Sequence, residues 1–491
     1  MAADRPNILL LMTDQQRYDS LGCYGFSAGH TPNLDRLAAE GAVFEHCYVN
    51  STICTPSRAS LFTGKHLPGH GVYRLHDVLP SEELLVSRRL QQLGYTTALF
   101  GKLHVSGRAY EAKHRHRNDG FDVYEWCMDP RLYWDSPLNA YTRWLHQVHP
   151  DGYKHMQESR ARSRHVCREH HMTHWAAERT IDFIRGSDPR RPFFCVMSIF
   201  DPHDPYDDHP YEMRALVDAD EIPDPVAMAG DADRMPTAIC RERQRQGRAR
   251  GSLAPSDVRE MRLGYHASIA LADLEMGRVL EALEEKGIAC QTMVVFVSDH
   301  GDMLGDHGLF TKGAFFYDPC VRVPLIIRWP ERIPAGRRVR ALVQPHDLAA
   351  TMLAAAGMAG RDVARIMPES HDLIPAASGS EEVVRDYAIC CYRNSGYGDG
   401  QVYFDPPVHA TMIRDTRYKL SVFHDGSGEC REGECLLHDM DEDPLELNNL
   451  SQSASHQRVK VTLLQRLLEW EVGQELRMGS RGGEAPTRPM Q

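Results

Sequence analysis

Four short apolar runs each stop abruptly at polar, chemically capable residues. NILLLM (residues 7–12) leads to Asp14-Gln15, TTALFG (96–101) to Lys102-Leu103-His104, FFCVMSIF (193–200) to Asp201-Pro202-His203, and TMVVFVS (292–298) to Asp299-His300. Runs of this length without alternation read as strands buried on both faces. Between them lie patterns with apolar residues three and four apart. TPNLDRLAAEG (31–41) carries Leu34, Leu37 and Ala38 ahead of Gly41, and HASIALADLEMGRVLEALEEKG (266–287) ends on a glycine stop; both predict helices. Strands alternating with amphipathic helices predict an α/β fold with a mostly parallel central sheet covered on both faces. In such sheets ligands sit at the carboxyl ends of the strands, so the four polar clusters are expected to converge on one site.

Two stretches, residues 105–190 and 205–260, break the alternation with His, Arg, Asp and Pro, and are expected to lie over the strand ends and select the substrate. VPLIIRWP (323–330) reads as one more buried strand and HDLAATMLAAAG (346–357) as a helix. Past about residue 380 the pattern changes. HATMIRDTRYKLSVFHDG (409–426) and ECLLHDMDEDPLELNNL (434–450) predict antiparallel strands, and KVTLLQRLLEWEVGQEL (460–476) a helix before a polar tail. The expected division is a catalytic domain over residues 1–380 and a smaller α+β subdomain over 381–491.

With 491 residues and a net charge of −12, nucleic acid is excluded as an expected partner. The local cluster RARSRHVCR (160–168) reads as a solvated face. No apolar run approaches the roughly 20 residues that span a bilayer, and the run near the N-terminus is shorter than the about 7–15 residues of a signal-peptide core. The reading is a cytoplasmic protein with no membrane partner. Thirteen cysteines, an odd number without paired metal-ligand spacing, are expected as free thiols, Cys390-Cys391 and Cys430/Cys435 included.

Asp14, Gln15, Asp299 and His300 together offer two carboxylates, an amide oxygen and one imidazole. That set suits Ca²⁺, Mg²⁺ or Mn²⁺ better than a soft-metal site. Arg58, Lys102, His104, His203 and Lys312 offer the convergent donors that a tetrahedral anion requires. Lys102 and His104, two residues apart, would project to one side of an extended segment. Cys54 lies in STICTPSRAS (51–60), next to Pro56, Ser57 and Arg58. As a thiolate nucleophile it would need a depressed pKa, to which Arg58 would contribute if a helix starts near Pro56.

CTPSRASLFTGK (54–65) closely resembles the signature of the formylglycine-dependent sulfatases of the alkaline-phosphatase superfamily. The resemblance extends through RPNILLLMTDQQRYDSLGCYG, LGYTTALFGKLH, DPHDPY, SDHGDMLGDHGLFTKG, RVPLIIRWP and LHDMDEDPLELNNL, in the family's order. It implies an alkaline-phosphatase-like catalytic domain and conversion of Cys54 to Cα-formylglycine by a formylglycine-generating enzyme. It further implies one divalent metal held by Asp14, Gln15, converted Cys54, Asp299 and His300, with Arg58 on the formylglycine hydroxyl. Lys102 and His104 would contact the hydrated aldehyde and the sulfate, and His203 and Lys312 the ester and its leaving oxygen. One hydroxyl of the hydrate would attack sulfur, and His104 would deprotonate the other to expel sulfate.

Gln15 stands where many members have Asp, and His300 where many have Asn. Those departures bring manganese in beside calcium, with magnesium behind both, and resemble choline sulfatase and the phosphonate monoester hydrolases. The function implied is hydrolysis of a small-molecule sulfate ester. The alternatives are phosphonate monoester or phosphodiester hydrolysis on the same machinery, or a catalytically silent protein that binds sulfated ligands. The Lys-x-His pair of GKLH favours the sulfate ester. A homodimer or tetramer is the expected assembly.

Overall fold

The computed structural model describes residues 5–158, 166–227, 235–251, 253–395, 403–424 and 434–477. Most of the basic cluster at 160–168, Cys430 and the tail at 479–491 lie outside them. Nine strands build the main sheet: β1 (Asn7–Thr13), β2 (Ala42–Tyr48), β3 (Thr96–Gly101), β4 (Val123–Trp126), β5 (Phe193–Ser198), β6 (Thr292–Ser298), β7 (Arg322–Val323), β8 (Leu325–Arg328) and β9 (Arg337–Val343). They run in the order β4-β3-β5-β1-β6-β8-β2-β7, with β9 paired to β2. The pairs β4/β3, β3/β5, β5/β1 and β1/β6 are parallel, and β8 enters antiparallel beside β6.

The continuous apolar runs are explained by coverage of both faces. Ile8, Leu10 and Met12 of β1 join Met293, Val295 and Val297 of β6 in one core cluster. Leu9 and Leu11 join Val294 and Phe296 in the other. Alternate side chains point to opposite faces and both faces are dry, so the middle of each strand is apolar throughout and polar residues stand only at its ends. The helices Met172–Gly186 and Pro255–Glu285 pack on one face through Trp175, Ile181, Tyr265, Ile269 and Met276. The helices Cys54–Thr63 and Asp347–Ala355 pack on the other through Ala59, Phe62, Leu348 and Met352.

Register aligns the strand ends. Thr13 sits opposite Ser298, Met12 opposite Ser198, and Gly101 opposite Ser198. The following residues, Asp14, Asp299 and Lys102, therefore emerge together on one edge. Gly101 has φ +111°, and a Cβ there would lie 1.9 Å from the Ser198 carbonyl oxygen, so only glycine permits this close approach.

Residues 105–190 are more than a cover over the strand ends. They supply β4, which extends the parallel sheet, and the helix Met172–Gly186, which packs against β3 and β5. Their polar character comes from the loops between these elements, which masked the short strand. Arg168 of the basic cluster pairs with the buried Glu275 carboxylate at 2.6 Å rather than facing solvent alone.

β10 (Ala388–Arg393), β11 (His409–Arg414), β12 (Tyr418–His424) and β13 (Cys435–Asp439) form a separate antiparallel sheet. Its two faces divide cleanly. Cys390, Tyr392, Ala410 and Met412 join the main core, whereas Ile389, Cys391, Ile413 and Leu420 pack under Leu463, Leu467 and Trp470 of the C-terminal helix. Buried Lys419 ties the sheet to the segment that follows the main-sheet strand β6, with Nζ 2.6 Å from Asp318 Oδ1 and 2.6 Å from Glu446 Oε1. The Cys391 amide donates to the Asn50 carbonyl (2.8 Å), so this sheet also braces the segment that leads into Cys54. Twelve cysteines among the described residues are free. No helix among the described residues is long and apolar enough to cross a membrane.

Candidate active site

Cys54 opens the helix Cys54–Thr63, which ends at Gly64 with φ +69°. Ser57 anchors this helix by donating to the Asp299 carbonyl (2.6 Å). Cys54 Sγ lies 3.0 Å from His300 Nε2 and 3.9 Å from Asp14 Oδ1. Ligand atoms of Asp14, Cys54, Asp299 and His300 all fall within 4.8 Å of one another, and all four residues are buried. His300 Nδ1 is 3.0 Å from the Gly301 carbonyl, which can only accept, so Nδ1 carries a proton and Nε2 is the nitrogen that faces the cluster. Two carboxylates and one oriented imidazole fit an oxygen-preferring divalent cation.

Gln15, at φ +68°, donates its backbone N–H to Asp299 Oδ1 (3.0 Å), and its side-chain Oε1 accepts from Lys312 Nζ (2.6 Å). Arg58 is fully buried and almost fully committed. Nε donates to Asp299 Oδ2 (2.6 Å), Nη1 to the Lys102 carbonyl and Ser198 Oγ (both 2.9 Å), and Nη2 approaches Asp14 Oδ2 at 3.4 Å. Four of the five guanidinium hydrogens are thereby used. Lys102 Nζ donates to Asp14 Oδ2 and lies 5.3 Å from the centre of the Phe200 ring.

The post-β3 segment is not extended as the Lys-x-His spacing suggested, because His104 has φ +56°. The cause is Glu111, whose buried carboxylate accepts from the backbone N–H of His104 (2.9 Å), Val105 (2.8 Å) and Ser106 (3.0 Å), and from Trp126 Nε1 (3.2 Å). The loop curls around that carboxylate. Lys102 and His104 thus reach the same site by different routes, and the His104 ring meets Thr55 Oγ1 at 2.9 Å. His203 Nδ1 faces the Asp204 carbonyl (2.7 Å), which fixes the proton there, and Nε2 accepts from Lys312 Nζ at 2.8 Å. All nine sequence-selected side chains therefore stand in one network with Cys54 at its centre.

A cleft of about 260 Å³ opens over Cys54, Lys102, His104, His203 and Lys312. Leu75, Met128 and Phe200 form its apolar wall, and Arg108, Asp129, Arg245 and Gln246 its polar wall. Arg245 and Gln246 come from the helix Thr237–Arg250, so the 205–260 stretch does reach the strand ends. Sequence reading missed Asp302, Tyr206, Glu111 and Ser198 among the supporting groups. Asp302 had a visible signal, the second acid of SDHGD; Glu111 sits in a region without pattern.

The field of the site favours negative charge at position 54. Burial opposes ionisation of Cys54, but Lys102, Lys312 and His300 outweigh it and hold the thiol well below its ordinary range. Burial and Cys54 push the Asp14 carboxyl up, whereas Lys102 and Arg58 pull it well below the usual carboxylate range. Burial, reinforced by Lys102, lowers His104 to about 4, so its imidazole is neutral at pH 7. Burial lowers Lys312, yet Cys54 and the carboxylates of Asp14, Asp204 and Asp299 raise it overall, so it stays protonated.

Residues 6–358 match the family model described as Sulfatase. The chain belongs to the sulfatase family. Residues 305–473 also match the C-terminal model of N-sulphoglucosamine sulphohydrolase. Among curated relatives, this sulfatase is 28% identical to an arylsulfatase of Clostridium perfringens over 94% of each chain. It is 26% identical to an N-acetylglucosamine-6-O-sulfatase of Bacteroides thetaiotaomicron, covering 95% of this chain and 86% of the relative. Its fold superimposes on the phosphonate monoester hydrolase of Agrobacterium radiobacter with a TM-score of 0.75 and 24% identity over 96% of each chain. The alkaline-phosphatase-like architecture anticipated from the motifs is the one observed.

Proposed function

We propose that this sulfatase hydrolyses sulfate monoesters of small molecules at the Cys54 cleft. The observation that carries the reading is Cys54 itself, at a helix N-terminus, sharing a 4.8 Å cluster with Asp14, Asp299 and His300 and surrounded by cations. Conversion of Cys54 to formylglycine by a maturation enzyme would supply the hydrated aldehyde that serves as nucleophile. Asp14, Gln15, Asp299, His300 and residue 54 would hold one divalent cation, Mn²⁺ or Ca²⁺ ahead of Mg²⁺, which supplies positive charge opposite the sulfate oxygens.

The chain's own groups do the rest. Lys102 and Lys312 bind the sulfate oxygens and neutralise charge in the transition state, and His203 holds Lys312 in place. Arg58 spends its remaining N–H on residue 54 and holds that side chain in line with the sulfur. One hydroxyl of residue 54 gives up its proton and bonds to sulfur while the ester S–O bond breaks and Lys312, held against His203 Nε2, protonates the leaving oxygen. Neutral His104 then takes the proton of the second hydroxyl, so that the carbonyl reforms and sulfate leaves. The cleft of about 260 Å³ admits a compact alcohol, and Phe200, Met128 and Leu75 cover its apolar face.

The proposal includes a catalytic domain over 1–380 and a subdomain over 381–491, supported by the separate antiparallel sheet that starts at Ala388. A cytoplasmic location is supported by the twelve free thiols. A homodimer or tetramer completes the proposal.

The test is turnover of a panel of aryl, choline and sugar sulfates against phenyl phosphonate esters, with peptide mass measured at residue 54. Conversion lowers the mass by about 18 Da relative to cysteine. Cys54→Ala and unconverted protein are expected to lose nearly all turnover. Full activity in either, or a preference for phosphonates over every sulfate ester, would sink the reading.

A further inference from the structure

Asp302, three residues beyond Asp299, is fully buried and accepts from three donors. Its Oδ1 takes the Leu304 backbone N–H (2.9 Å), and its Oδ2 takes Tyr206 Oη (2.7 Å) and Gln15 Nε2 (2.5 Å). The second hydrogen of the Gln15 amide points at Asp204 Oδ1 (3.3 Å). On its other side, Gln15 Oε1 accepts from Lys312 Nζ, a group that can only donate. Donors face two carboxylates and the acceptor faces an ammonium, so this network admits one orientation of the amide.

We propose that Asp302 is a positioning residue that makes glutamine, rather than a carboxylate, the working side chain at position 15. The inference rests on the reading of Gln15 as a metal ligand given above. On ligand chemistry alone a carboxylate should hold a hard divalent cation more tightly than a neutral amide. Here an isosteric glutamate would set a carboxylate oxygen about where Gln15 Nε2 stands, 2.5 Å from Asp302 Oδ2, in a buried site. Two carboxylates in contact without solvent repel strongly, and Leu304 N–H and Tyr206 Oη are already directed to Asp302. The charge gained at the metal is lost to the misplacement of the ligand, and groups that orient ligands in this way are worth about 10–100-fold in metal affinity.

The experiment measures Mn²⁺ affinity at pH 8 by competition with a chromogenic chelator, without turnover. It compares wild type, Gln15→Glu and the double variant Gln15→Glu/Asp302→Asn, all matched for Cys54 conversion by mass. Gln15→Glu is expected to bind Mn²⁺ at least about tenfold more weakly than wild type despite its added charge. The double variant, in which the residue 302 amide donates to the residue 15 carboxylate, is expected to recover wild-type affinity or better. Wild-type affinity in Gln15→Glu, or a double variant no tighter than the single, would overturn the proposal. If circular dichroism shows the single variant unfolded, the double variant decides: affinity below wild type overturns it. Because the ranking needs no substrate, a wild-type protein that binds Mn²⁺ but fails on every sulfate ester refutes the proposed function and leaves this inference standing.

Discussion

Arg58→Met keeps the length of the side chain and removes its charge and all five N–H donors. The guanidinium is fully buried and lies between two buried carboxylates. Loss of the 2.6 Å bond to Asp299 costs about 1.5–3 kcal/mol, as for other hydrogen bonds between charged groups, and the orphaned Lys102 carbonyl and Ser198 Oγ add about 1 kcal/mol each. The sum, about 3.5–5 kcal/mol, agrees with the roughly 3–5 kcal/mol typical of breaking a buried ion pair from one side. Urea unfolding of the metal-free protein, followed by tryptophan fluorescence at pH 7.5, reads that loss directly. Added divalent cation should restore part of it, because the cation replaces the positive charge beside Asp14 and Asp299. Turnover of an aryl sulfate should fall at least about 10³-fold, since residue 54 loses its remaining guanidinium donor. A metal-free variant within about 1 kcal/mol of wild type would refute the reasoning, and would mean that Arg58 serves chemistry alone.

Two further perturbations test the framework around the site. Glu111→Gln leaves one oxygen for four N–H donors, so two buried donors are orphaned at about 1–3 kcal/mol each. Lower stability should come with a fall in kcat of about 10²-fold as the Lys102–His104 loop loosens; unchanged kcat would show that the loop holds its shape without the carboxylate. The Asp318–Lys419–Glu446 cluster should make the protein acid-sensitive. Burial raises both carboxyls, but Lys419 outweighs it, bringing Asp318 down to about 2 and Glu446 below its ordinary value. Depressed carboxyls contribute stability above their unfolded values of about 3.9 and 4.3, and it is lost as pH falls from there toward about 2. Lys419→Met should destabilise the protein at pH 7 and flatten that acid limb in urea titrations; an unchanged limb would remove the cluster as its source.

The motifs determined more than the fold class. Once four apolar runs were read as parallel strands covered on both faces, the polar residues after each had to gather at one edge, because parallel strands in register end together. Asp14, Lys102, His203 and Asp299 follow from that topology, and the CTPSR signature and its companions named the family. The chain pattern does not encode how side chains share their donors. Arg58 could be chosen from sequence, but only the packed site shows four of its hydrogens already committed. His104 looked like the second member of an extended pair until Glu111, from a stretch without periodicity, drew three successive N–H groups around one carboxylate. The amide orientation of Gln15 depends on Lys312, Asp204 and Asp302, which lie 189 to 297 residues away in the chain. Hydrophobic periodicity is a local property and survives in the sequence. Satisfaction of buried donors and acceptors is a property of the closed tertiary structure, and it is decided only when distant loops meet.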